Sequence, residues 1–172
     1  MWMWSFFYNN MDCVIEPENG KGGVYVGSKQ AADNITELNK KGIKAVLCVA
    51  ANITINYNAK NIEFHKIIPA EDLESFDLGK YFNEGISFIE ESRQKTNVLI
   101  HCFAGVSRSG AMLVAYLMKT QKKNMNEALE LAKKKRSVIF PNNGFRIQLE
   151  KFERELKEEE MKKAGDEGEK RH

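Results

Sequence analysis

The chain is short of residues that staple or ligate. Its 172 residues include three cysteines, Cys13, Cys48 and Cys102, and three histidines, His65, His101 and His172. An odd, scattered set of cysteines makes no disulfide scaffold, and the spacings match no zinc pattern. Sparse cysteine also points to a reducing compartment, cytoplasmic or nuclear. Long apolar runs are missing as well. The start, Met1 to Tyr8, is apolar but short, carries no basic flank and soon meets Asn9, Asn10 and Asp12. That pattern fits neither a signal peptide nor a spanning helix, and Trp2 excludes myristoylation. The segment is expected to pack on the domain surface, without stable membrane insertion. Charge of one sign is lacking too: 26 Lys and Arg stand against 24 Asp and Glu, for a net charge of +2. No basic field argues for nucleic acid. What is left is one globular domain with one core.

Strand and helix patterns alternate along it, which predicts an α/β fold with no internal repeat or linker. The strand expectations are Gly22–Ser28, Ile43–Ala50, Ile62–Ile68 and Asn97–His101. The near-continuous apolar run IKAVLCVA suits a strand covered on both faces. Helices are expected over Gln30–Lys41, over Leu78–Ser92, over Ala111–Thr120 with Ser107–Gly110 opening it, after Asn124, and from about Asn143. Asn124 with Glu127 reads as a capping box with Asn in place of Ser or Thr. Lys133-Lys134-Lys135-Arg136 reads as a solvated helix end favoured by the dipole. From Lys157 the chain is almost wholly polar and is expected to fray into disorder. The domain expectation is an apolar segment over 1–13, a catalytic domain over 14–156 and a charged tail over 157–172.

The chemistry concentrates in His101-Cys102-Phe103-Ala104-Gly105-Val106-Ser107-Arg108-Ser109-Gly110. Cys102 follows the apolar strand Val98-Leu99-Ile100, five residues separate it from Arg108, and a helix begins there. A loop of this length between strand and helix can turn successive N–H groups inward, making a nest for a tetrahedral dianion. The helix N-terminus adds free N–H groups and the positive end of its dipole. Phe103, Ala104, Gly105, Val106, Ser107 and Arg108 are therefore the expected phosphate cradle, with Gly105 allowing a backbone turn that a side chain would block. The same donors, with Arg108 and the Ser109 hydroxyl, favour Cys102 as a thiolate nucleophile. Arg108 offers a planar fork for two phosphate oxygens. His101 is expected to support the loop by hydrogen bonding near Cys102 rather than to act as a base. Protonation of a leaving oxygen needs a carboxylic acid near the site. Glu71, Asp72, Glu74 and Asp77 all qualify, and spacing does not choose among them.

HCFAGVSRSG is similar to the signature loop of the dual-specificity protein phosphatases, within the cysteine-based protein tyrosine phosphatase superfamily. Further resemblance lies in VYVGS at Val24–Ser28, GIKAVLCVA at Gly42–Ala50, AYLM at Ala115–Met118 and PNNGFRIQLEKFE at Pro141–Glu153. These segments occur in family order across about Val14–Leu156, and most resemble the MAP-kinase-phosphatase catalytic domains and the small atypical members. The resemblance implies a central, mixed, mostly parallel sheet of about five strands flanked by helices. It places the general acid on Asp72, with Glu71 as its rival, makes Asp77 a helix cap, and sets Asn142 beside the loop as a supporting residue. It implies hydrolysis of phosphotyrosine and phosphoserine or phosphothreonine through a phosphocysteine, without metal or other cofactor, because Arg108 and the loop amides supply the charge stabilisation.

Substrates are expected to be phosphorylated proteins, protein kinases among them. The loop lacks the lysines that phosphoinositide phosphatases of this fold carry there, and no basic groove suits RNA. A phosphoprotein-binding module without turnover would usually lack the nucleophile, and arsenate reduction would need a recycling cysteine, for which only Cys48 is placed. Cys48 reads as a small core residue, with oxidative pairing to Cys102 as the sharper alternative. Oligomeric state is not legible.

Overall fold

The computed structural model describes residues 10–58 and 61–169, so the expectation for Met1 to Tyr8 lies outside the described residues. Five strands form one sheet: β1 (Met11–Ile15), β2 (Val24–Gly27), β3 (Ile43–Val49), β4 (Phe64–Ile68) and β5 (Asn97–His101), in the order β1-β2-β5-β3-β4. β2, β5, β3 and β4 run parallel, and β1 pairs antiparallel with β2 at the edge. The helices are α1 (Lys29–Asp33), α2 (Ile35–Lys40), α3 (Phe82–Arg93), α4 (Arg108–Gln121), α5 (Met125–Lys135) and α6 (Asn143–Glu169). Among the described residues no helix is long and apolar enough to cross a membrane.

The period-2 alternation of strand side chains divides the core in two. Val24, Val26, Ala45, Leu47, Val49, Val98 and Ile100 face α3 to α6, against residues such as Phe82, Met112, Tyr116 and Phe145. Tyr25, Val46 and Leu99 face the other way, onto Ala31, Ala32 and Leu38 of α1 and α2. Both faces are covered, which is why β3 and β5 are apolar nearly throughout. α4 runs through the middle of the larger layer, with Ser109 to Met118 continuously buried. All four parallel strands end at the same edge of the sheet, and β5 delivers Cys102 there, beside the ends of β2 and β3. Crevices outside the carboxyl ends of parallel strands are where open α/β sheets place their ligands.

Three expectations are corrected. The single helix over Gln30–Lys41 is two, broken at Asn34, whose backbone N–H donates to Ala31 and whose side chain accepts from the Glu37 N–H. An asparagine that offers the backbone such a partner favours a cap over a helix interior. Residues 11–13 belong to the sheet rather than to a separate leading segment, because β1 is a short edge strand with little alternation to reveal it. The charged tail is helical through Glu169 rather than disordered from Lys157. Its Lys and Glu residues are good helix formers, and the Glu153–Lys157 and Lys151–Glu155 pairs lie one turn apart on the same face. The Asn124–Glu127 capping box is present in both directions, as expected.

Candidate active site

The loop after β5 curls tightly around the Cys102 sulfur. Cys102 is buried; its Sγ accepts from the Gly105 N–H at 3.2 Å and lies 3.2 Å from the Ser109 Oγ. Gly105 has φ +71°, and a Cβ there would fall 2.6 Å from the Gly27 carbonyl. Both the left-handed backbone and the approach to β2 therefore require glycine. The loop carbonyls turn outward. Phe103 O accepts from the Lys29 N–H at 2.9 Å, and Val106 O from the Phe140 N–H at 3.0 Å. Outward carbonyls leave the alternate N–H groups for the inside of the loop, where an anion would sit.

Arg108 stands at the first turn of α4. Its Nη1 donates to the Ala70 carbonyl at 3.1 Å, which aims the guanidinium. Its Nε is buried without a partner among the described residues, and an oxyanion would satisfy such a donor. Ser107, in the cradle expectation, presents its hydroxyl outward instead and accepts from the Asn142 N–H at 3.0 Å. Phe103 projects into solvent at the rim, 65% exposed. His101 is fully buried, and its Nδ1 lies 3.1 Å from the Cys102 carbonyl oxygen, to which it donates. Burial pushes its pKa down to about 4, against that hydrogen bond, so the ring is neutral at physiological pH.

The acid candidates lie on the loop between β4 and α3. Asp72 Oδ1 accepts from the Asn142 side-chain amide at 3.0 Å. Asp77 accepts from the Lys80 N–H at 3.3 Å, but the short 3-10 turn Gly79–Tyr81 and α3 after it begin at Leu78 and Tyr81 with no side-chain cap, so the expected helix cap at Asp77 is not formed. Glu71 and Glu74 are exposed. The start of α6 grips this loop. Gln148 accepts from the Gly79 N–H at 2.7 Å and donates to the Phe76 carbonyl at 2.8 Å. A Cβ on Gly144 would lie 2.0 Å from the Glu74 carbonyl oxygen. Gly144→Ala is accordingly expected to force the acid loop off α6 and to destabilise the fold by about 1–3 kcal/mol, the usual range for overpacking; urea unfolding measures it.

Cys48 pairs in register with His101 across β3 and β5 and shares a small buried cluster with Ala50 and Cys102. Burial, above all, raises its thiol pKa. Among the described residues no group of three or more His, Cys, Asp or Glu could hold a metal ion. One residue that the sequence reading assigned to solvent is in the site's support. Arg136 is 3% exposed, and its Nε and Nη2 donate to the Gly105 and Ala104 carbonyls at 3.0 and 3.4 Å. It closes a run of lysines, so composition gave no sign that it differs from them.

The dual specificity phosphatase, catalytic domain family matches residues 24–155, well over half of the chain. Human dual specificity protein phosphatase 9 is 45% identical over 139 residues, covering 80% of this chain and 36% of that protein. MAP kinase phosphatase with leucine-rich repeats protein 3 of Dictyostelium discoideum is 34% identical over 134 residues, 78% of this chain and 16% of that protein. The chain thus spans about a third or less of these relatives' length. Among solved structures, a mouse putative dual specificity phosphatase complexed with zinc tungstate superposes with a TM-score of 0.78 at 25% identity, over 87% of this chain and 90% of that one. By its matched residues, and by the degree of identity to these relatives, the chain belongs to the dual specificity phosphatase catalytic-domain family.

Proposed function

We propose that the chain hydrolyses phosphate monoesters on proteins, at tyrosine and at serine or threonine, through a phosphocysteine. The observation that carries this reading is the Cys102 sulfur held by the Gly105 N–H and the Ser109 hydroxyl, each at 3.2 Å, inside a loop whose carbonyls turn outward. In the first step the Cys102 thiolate attacks phosphorus in line with the leaving oxygen. The P–O bond breaks as Asp72 donates its proton to that oxygen. The loop amides and Arg108 hold the equatorial oxygens, where charge is greatest. In the second step Asp72, now a carboxylate, takes a proton from water as the water oxygen attacks phosphorus. The S–P bond breaks, and Ser109 donates a hydrogen bond to the departing thiolate. The neutral His101 ring orients the Cys102 peptide and takes no proton.

The loop residues between Cys102 and Arg108 carry no cation, which favours a single phosphate on a protein over a polyphosphorylated headgroup. A protein kinase is a substrate class that the relative named a MAP kinase phosphatase supports. The thiolate chemistry suits a reducing compartment, cytoplasm or nucleus. With Cys102 in place, a binding module without turnover has less support. Release of phosphate from phosphotyrosine and phosphothreonine peptides tests the reading; tight binding with no release from either would overturn it. The acid is tested separately. Asp72→Asn is expected to slow hydrolysis of phenyl phosphate by roughly 10²–10⁴-fold and that of p-nitrophenyl phosphate much less, since nitrophenolate leaves without a proton. An equal loss on both substrates would assign the acid elsewhere.

A further inference from the structure

We propose that Arg136, locked in place by Asp12 of β1, is a positioning residue that sets the peptide planes of the phosphate loop; the inference rests on the phosphatase reading of that loop. Three of the bonds the Arg136 guanidinium makes hold the loop and β1. Nε donates to Gly105 O at 3.0 Å, Nη2 to Ala104 O at 3.4 Å, and Nη1 to Asp12 Oδ2 at 2.8 Å. Arg136 lies just past the end of α5, and Asp12 sits opposite Val26 of β2. Two elements far apart in sequence therefore converge on the back of the loop.

The physical consequence follows from peptide geometry. In a trans peptide the carbonyl and the next N–H point in opposite directions. Holding Ala104 O outward therefore turns the Gly105 N–H inward, and that N–H is the group found 3.2 Å from the Cys102 sulfur. Holding Gly105 O outward does the same for the Val106 N–H. Gly105 needs such a hold more than its neighbours do, because glycine imposes no conformation of its own. A buried guanidinium is costly unless its donors are paired. The Asp12 carboxylate supplies the opposite charge and fixes the rotation of the fork about its stem. A lysine in this position offers no planar fork and cannot reproduce the three directions.

Arg136→Lys and Asp12→Asn are the variants, assayed for kcat and KM with p-nitrophenyl phosphate and for affinity toward tungstate by calorimetry, with thermal unfolding alongside. Tungstate binding needs the loop amides but no turnover. Arg136→Lys is expected to lower kcat and to weaken tungstate by about tenfold each, the worth of one well-aimed hydrogen bond. Asp12→Asn is expected to act in the same direction and to add nothing to kcat in the Arg136→Lys background, since both act through one fork. A mere tether between α5 and β1 would lower the melting temperature and leave kcat and tungstate affinity of the folded protein unchanged; that result overturns the proposal. If Arg136→Lys does not fold, Asp12→Asn at the sheet edge carries the same comparison. A wild type that binds tungstate but releases no phosphate would sink the phosphatase reading while the tungstate comparison still decides the role of Arg136.

Discussion

Cys102→Ser is expected to reduce turnover of p-nitrophenyl phosphate by at least ~10⁴-fold, the scale of losing the nucleophile of a covalent mechanism. The substitution removes one sulfur and leaves the cradle intact. Gly105 and Ser109 still point inward, and Arg108 still stands at the head of α4. What changes is the charge state of the attacking atom. A free thiol ionises within reach of neutral pH. An alcohol ionises so far above that range that the same donors leave it protonated. The adjacent His101 does not take its proton, because its neutral ring spends its Nδ1–H on a main-chain carbonyl. The variant should therefore bind phosphopeptide and tungstate while failing to form a covalent adduct. Single-turnover phosphate release alongside calorimetric binding separates the two. A variant that keeps a tenth or more of the wild-type rate would show that sulfur is not the nucleophile.

Arg108→Lys should cost roughly 10²–10³ in kcat, the range for removing one preorganised donor to a transition-state oxyanion, although the charge is retained. The guanidinium performs two tasks at once. Nη1 is anchored on the Ala70 carbonyl at 3.1 Å, and Nε stays buried without a partner among the described residues, a donor that a phosphate oxygen would satisfy. A lysine ammonium is one point on a flexible stem. If it bonds Ala70 it withdraws from the phosphate, and if it follows the phosphate the Ala70 carbonyl loses its partner. Stability should fall by only about 1 kcal/mol, the net worth of one such bond. A kcat that collapses while the melting curve barely moves is thus the diagnostic result, read from steady-state kinetics and thermal unfolding. Retention of kcat would mean that Arg108 only neutralises charge.

Much of this site was legible before any coordinates. β5 announced itself as a short apolar strand, and five residues from cysteine to arginine define a loop whose geometry follows from backbone sterics. Alternating patterns pointed to an α/β fold and to four of the strands, while the five-stranded, mostly parallel sheet was what the resemblance implied. Other features were hidden for physical reasons. The break at Asn34 turns on a side chain choosing its backbone neighbours, a contest that apolar spacing does not register. Strand β1 is an edge with a mixed face. The tail has the composition of a disordered segment, yet it is also the composition of an exposed helix continuing from a packed one. Arg136 reads as the last of four cations, and only the return of the chain past α5 against β1 shows that it points inward. The choice of Asp72 over its neighbours came from resemblance, because four carboxylates on one loop look alike until something across the fold holds one of them.

Asn142 does that holding, and it touches more than the acid. Its main-chain N–H reaches Ser107 of the phosphate loop, its side-chain amide reaches Asp72, and its side-chain oxygen accepts from Phe145 at the start of α6. Enzymes that carry the acid on a swinging lid pass through an open state in every cycle, and the lid's movement often limits turnover. Here the phosphate loop at Ser107 and the candidate acid Asp72 are both hydrogen-bonded to one asparagine, so the link between them is formed when the chain folds. Ordering entropy spent on Asp72 by that tether is not spent again when substrate binds, and a kcat insensitive to added viscogen is the expected result.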